Sequence, residues 1–222
     1  MSNDRIYRHH WIVRLTHWSA FVLIFSMVAS GLQIYRAYAR FGLRDSSLPN
    51  FLQDADFPEW TRLGGWLAGG LNWHFLLMWP LIAIGALYLG YLILSGEWRK
   101  LLFRPSDIKP AVAMARYYTG LDKEHPPQGK HNALQKQAYS GIILLGVLSV
   151  LTGFAIWKPV QFSWLTSLFG GYQLARYWHF WAVWLFVSFT LVHVFLVFTA
   201  DPASFRGMIT GWYGGRYKDD RP

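Results

Sequence analysis

The sequence predicts an all-α membrane protein, a bundle of four transmembrane helices with both termini on the cytoplasmic side. Apolar residues make up 53% of the chain, and they fall in four long blocks instead of the periodic stripes of a soluble domain. No Asp or Glu interrupts any of these blocks, and each is long enough to cross a hydrocarbon core of about 30 Å as a helix. Lys and Arg gather between the blocks, so the net charge of +9 reads as topology and not as affinity for nucleic acid. Cysteine is absent, which excludes disulfides, Cys-ligated iron–sulfur clusters and haem bonded through a C-x-x-C-H motif. Any redox group must be held non-covalently.

A polar leader over residues 1–14, with Arg5, Arg8 and Arg14, precedes the first predicted span at about 15–35. Arg14 and His17 open that block and no small-residue cleavage site follows it, which argues against a removable signal peptide. The next connection mixes charges, and its FPEW and LGGWLAGG pieces predict a short interfacial helix and a turn instead of a fifth span. The second span is predicted at about 73–94, with Pro80 tolerated where neighbouring helices satisfy the freed carbonyl. The connection over 97–136 is the most basic, with eight Lys or Arg. A third span is predicted at about 138–157, a connection with only Lys158 and Arg176 follows, and the fourth span covers about 177–199. The leader, the second connection and the tail carry more Lys and Arg than the other two connections, which predicts cytoplasmic termini. No linker or repeat divides the chain, so one membrane domain over 1–222 is expected, surrounded by lipid.

Histidines supply the candidate chemistry. His179 and His193 are the only ionisable side chains of the fourth block and stand fourteen residues apart. That spacing brings them to within roughly 40° of each other, about 21 Å along the helix axis. One metal cannot join them, because ligand bonds are only about 2 Å long. His17, at the cytoplasmic start of span one, matches His193 in depth; His74, at the periplasmic start of span two, matches His179 near the periplasmic start of span four. Opposed imidazoles from facing helices are what a six-coordinate haem iron requires, so the four are candidate axial ligands of two haems stacked across the membrane. His9, His10, His125 and His131 are expected to face solvent. Arg14 and Arg176 each precede a candidate ligand by three residues, on the same helix face, where haem propionates would emerge. Both also suit a simple interfacial anchor. Glycines at 31, 85, 90, 141, 146 and 153 could admit a porphyrin or serve plain helix packing.

The segments RLTHW, WH, HNALQKQAYSG, LTGFAIWKP and GGYQLARYWHF together resemble the bacterial di-haem cytochrome b family. Its members include the cytochrome b subunits of nickel–iron hydrogenases, the gamma subunit of respiratory formate dehydrogenase and, with the nearest resemblance, thiosulfate reductase cytochrome b subunits. The resemblance runs over all four spans. It implies an inner-membrane subunit with two haem b groups that links a periplasmic redox partner, of molybdenum or hydrogenase type, to ubiquinone or menaquinone. Formate dehydrogenase-like members place an Asn of an N-A-G-Q-K motif beside the quinone. The matching stretch here is Asn132, Ala133, Leu134, Gln135, Lys136, with Leu134 in place of the family Gly. Asn132, Gln135 and Lys136 are therefore candidate quinone contacts, though they also suit a plain cap of span three.

A second reading, a stand-alone superoxide oxidase that reduces quinone, shares every haem ligand. The long first connection, with LPNFLQDADFPEW at its centre, favours a protein partner instead. A proton-relay transporter is disfavoured by the absence of intramembrane carboxylates. Direction of electron flow and self-association are left open by the sequence.

Overall fold

The computed structural model describes residues 6–43, 46–127, 131–199 and 202–213. Arg5, Arg44, Asp45, Lys130, Arg216, Lys218 and Arg221, which enter the charge pattern, lie outside the described residues.

Four long apolar helices dominate: α1 (Trp11–Ala37), α2 (Leu67–Ser95), α5 (Ala133–Trp157) and α7 (Tyr172–Thr199). All are longer than the predicted spans, because polar and aromatic residues at their ends continue the helix beyond the apolar block. α2 starts six residues early, since LAGG is helical and only Gly64–Gly65, both at positive φ, make the turn. A side chain at Gly64 would overlap the backbone of Gly69 and Gly70, so this turn has to be glycine. The expected interfacial helix at FPEW is one 3-10 turn, Glu59–Thr61. α2 continues through Pro80.

Short helices outside the apolar blocks complete the connections: α3 (Trp98–Leu101), α4 (Ile108–Tyr118), α6 (Ser163–Leu168) and α8 (Pro202–Thr210). α4 buries Ala111 and Met114 and packs against α5, which gives the basic connection its structure.

α1 packs along α2, and α5 along α7. Small side chains permit the close approach of the first pair, where Gly70 of α2 sits against Gln33 of α1. The outward faces are apolar and exposed, for instance Leu94 and Val22, as lipid-facing surfaces of a four-span bundle should be. The two ends of the bundle differ. At one, the leader strand β1 (Ile6–Tyr7) pairs antiparallel with β4 (Trp212–Tyr213) after α8, so the described ends of the chain meet. At the other, the connection between α1 and α2, which includes the short hairpin of β2 (Gly42–Leu43) and β3 (Ser46–Ser47), is fastened by aromatic stacking. Tyr35 of α1 lies 4.5 Å from Phe180 of α7, nearly parallel, and its hydroxyl donates to the Leu52 carbonyl at 2.8 Å. These are called the termini end and the loop end below.

Candidate functional site: two imidazole pairs

The four histidines do come together as two pairs. At the loop end the rings of His74 (α2) and His179 (α7) are 6.2 Å apart between centroids and inclined by 75°. At the termini end His17 (α1) and His193 (α7) are also 6.2 Å apart, inclined by 58°. Two metal–nitrogen bonds of about 2 Å with half an imidazole on either side make about 6 Å, so both gaps suit one iron between two axial nitrogens. No third His, Cys, Asp or Glu joins either pair among the described residues. A bare metal ion would be left short of ligands, whereas an iron whose equatorial positions are filled by a porphyrin needs only two. The residues present therefore fit haem.

The loop-end pair is built in more detail. Nδ1 of His74 lies 2.9 Å from the Ser30 hydroxyl, and Nδ1 of His179 lies 3.0 Å from the Thr152 hydroxyl. Ser30 donates its own proton to the Met27 carbonyl, and Thr152 to the Leu148 carbonyl. Each hydroxyl can then only accept from its imidazole, which places the ring proton on Nδ1 and leaves the Nε2 lone pair free for a metal. Behind each ring a glycine clears space. A Cβ at Gly31 would stand 3.7 Å from the His74 ring and one at Gly153 3.4 Å from His179, while Gly85, Gly90, Gly141 and Gly146 meet nothing. Of the six glycines considered, these two belong to the site.

At the termini end the buried Nδ1 of His17 has no hydrogen-bond partner among the described residues. His193 is held instead by stacking on Phe189, 5.7 Å away and inclined by 6°.

The other predicted site residues are committed elsewhere. Arg176 donates to the Tyr38 carbonyl at 3.1 Å and to Gln173 at 2.9 Å, and lies over the Tyr38 and Phe41 rings; it ties the first connection to α7. Arg14 donates to the Ile209 carbonyl at 2.7 Å and ties α8 to α1. Asn132 is the N-cap of α5, its side chain accepting from Gln135 N–H at 2.8 Å while Gln135 accepts from Asn132 N–H at 3.1 Å, a capping box. Lys136 pairs with Asp107 at 2.8 Å; this hydrogen bond holds the Asp107 carboxyl below its ordinary range. Among the histidines expected in solvent, His125 is exposed, but His9, His10 and His131 are half-buried. His10 caps α1 and stacks on Tyr91.

The family model of prokaryotic cytochrome b561 matches residues 8–211. The chain belongs to the prokaryotic cytochrome b561 family. A protein of Azospira oryzae, named as a subunit of a protein-methionine-sulfoxide reductase, is 38% identical over 95% of this chain and 100% of its own length. An Azotobacter vinelandii protein named as a Ni/Fe-hydrogenase B-type cytochrome subunit is 34% identical over 48% of this chain, and the match spans half of that relative. A formate dehydrogenase cytochrome b556 subunit of Haemophilus influenzae is 23% identical over 98% of this chain and 81% of its own. A cytochrome b561 is a multi-pass membrane electron-transfer protein with b-type haem, and the imidazole pairs are where such haem fits this chain.

Proposed function

We propose that this cytochrome b561 carries two haems, one at His74/His179 and one at His17/His193, and passes electrons between membrane quinone and a soluble oxidoreductase docked at the loop end. The observation that supports it best is the pair of equal 6.2 Å gaps, separated along α7 by about 21 Å. Bound haem supplies a one-electron carrier that needs no proton transfer from the protein. Ser30 and Thr152 hold the tautomer and the ring planes of their ligands, Gly31 and Gly153 let the rings lie against α1 and α5, and the surrounding helices exclude water. The Lys and Arg distribution supports a termini end in the cytoplasm, and with it a loop end in the periplasm of a bacterial inner membrane.

The three relatives are named as subunits, which favours a partner protein over the stand-alone superoxide oxidase. The relative matched over its whole length is named for a protein-methionine-sulfoxide reductase, and we take a reductase of that kind as the partner. Asn132, Gln135 and Lys136 are proposed to meet the quinone with the donors left over from the cap and the Asp107 pair.

Haem content tests the reading. The purified chain should hold two haems, extractable by acid acetone. His17→Ala and His193→Ala should each remove one and the same haem, and His74→Ala and His179→Ala the other. Loss of different haems in His17→Ala and His193→Ala would overturn the pairing.

A further inference from the structure

One charged side chain has no use in the account so far. Arg62, just before the Gly64–Gly65 turn, has a side chain only 5% exposed, and among the described residues its sole ionic neighbour is Glu59, 3.9 Å from Nη2 and itself 94% exposed. Nε and Nη1 are buried and have no hydrogen-bond partner among the described residues. A guanidinium cannot lose its charge at any ordinary pH, and burying one unpaired is strongly unfavourable. A solvated glutamate beyond hydrogen-bonding range does not offset that. The two other arginines near the imidazole pairs are each anchored by a backbone carbonyl; among the described residues Arg62 has no such anchor on Nε or Nη1.

Its position says what is missing. The next residue, Leu63, donates its N–H to the Ala29 carbonyl at 3.0 Å, and Ala29 precedes Ser30, whose hydroxyl holds His74. The guanidinium thus belongs to the layer that holds the loop-end imidazoles, and the rigid glycine turn behind it fixes it there. We propose that Arg62 binds a carboxylate of the cofactor carried by His74 and His179, a propionate of the loop-end haem. The assignment rests on the two-haem reading above. Planar, bidentate donors suit a carboxylate better than an ammonium would, and the charge that looks uncompensated in the protein alone is compensated when the cofactor is in place.

The test compares haem b with its dimethyl ester, which lacks free carboxylates, in the full-length chain in detergent. The His17→Ala background leaves only the loop-end haem, and transfer of haem to apomyoglobin reports its release. Arg62→Gln should release haem b at least tenfold faster than Arg62, Arg62→Lys should fall between them, and with the dimethyl ester the three chains should release at the same rate. Equal acceleration for haem b and its ester would show that Arg62 pairs with something other than the propionate, and no acceleration would show that it binds neither; both overturn the proposal. A chain with Arg62 intact that holds no haem would instead overturn the two-haem reading.

Discussion

The two imidazole pairs share one spacing and one helix, α7, yet they are held in different ways. At the loop end each ring is gripped from the neighbouring helix by a hydroxyl and a glycine in succession, Ser30–Gly31 for His74 and Thr152–Gly153 for His179. At the termini end His17 has no partner on Nδ1 among the described residues, and His193 leans on Phe189. The comparison teaches that pairing two ligands needs only depth and helix phase, whereas fixing their tautomer needs a second set of residues that the ligands do not reveal.

The largest effect that would break this comparison is steric. Leucine at Gly31 or Gly153 would drive its side chain into a ring that a bare Cβ already approaches to 3.7 or 3.4 Å. Gly31→Leu or Gly153→Leu should therefore cost the loop-end haem and spare the other, halving the haem measured per chain. Gly141→Leu, where a Cβ meets nothing, should leave both. Full haem content in Gly153→Leu would mean that the ring does not lie where the structure puts it.

The next effect concerns the termini end, where quinone is proposed to react. Asn132→Ala removes a cap worth about 1 kcal/mol as well as a proposed quinone donor, while Gln135→Ala leaves the Asn132 side-chain cap in place. If the quinone reading holds, both variants should slow reoxidation of the reduced haems by added quinone about tenfold, equivalent to roughly 1.4 kcal/mol. If Asn132→Ala lowers the melting temperature without slowing reoxidation in either variant, the two residues are a capping box and nothing more.

Much of this was legible in the sequence. Four spans follow from block length, and the histidine pairs follow from depth, because an imidazole inside an apolar helix has few reasons to be there. The hydroxyl–glycine couples were missed although they are visible as SG in the first span and LTG in the third. Only the three-dimensional match of α1 with α2, and of α5 with α7, puts each couple against a ring. Arg14 and Arg176 were read by spacing alone, which gives the helix face but not the loop or terminal helix that folds back to claim the guanidinium. Arg62 lies in the mixed-charge first connection, and burial of an arginine in an irregular segment has no sequence pattern. α4 and α8 were missed because they are short amphipathic segments outside the long apolar blocks, and only the blocks were read as helices.

A finer test of the same asymmetry is electrochemical. A hydrogen bond accepted from Nδ1–H makes a ligated imidazole a stronger donor and favours the oxidised iron. Ser30→Ala and Thr152→Val remove that bond, worth about 1 kcal/mol, so each should raise the midpoint potential of the loop-end haem by roughly 40 mV. The termini-end haem should stay where it is, having no such bond on His17 to lose. Ser30→Thr and Thr152→Ser should restore the original value. A shift of both haems alike, or of neither, would remove the distinction between the two ends.

The smallest effect is a pH dependence confined to the termini end. Asp107 accepts from Lys136 Nζ and from the Arg104 N–H, both at 2.8 Å, and these bonds hold its carboxyl below the ordinary range. A folded-state pKa that is lowered contributes stability that is fully present above the unfolded value, about 3.9, and is lost as pH falls through the folded value. The packing of α4 on α5, which this pair bridges, should therefore weaken only below about pH 4 and be indifferent to pH between 5 and 8. In Asp107→Asn that acid-dependent part is already gone, so the variant should melt a little below the parent at pH 7 and the gap should narrow as the pH approaches 3. Scanning fluorimetry in detergent across that range measures both. A gap that stays constant from pH 7 to 3 would mean that the charge on Asp107 contributes nothing, and that its carboxyl serves only as a neutral acceptor at the turn into α4.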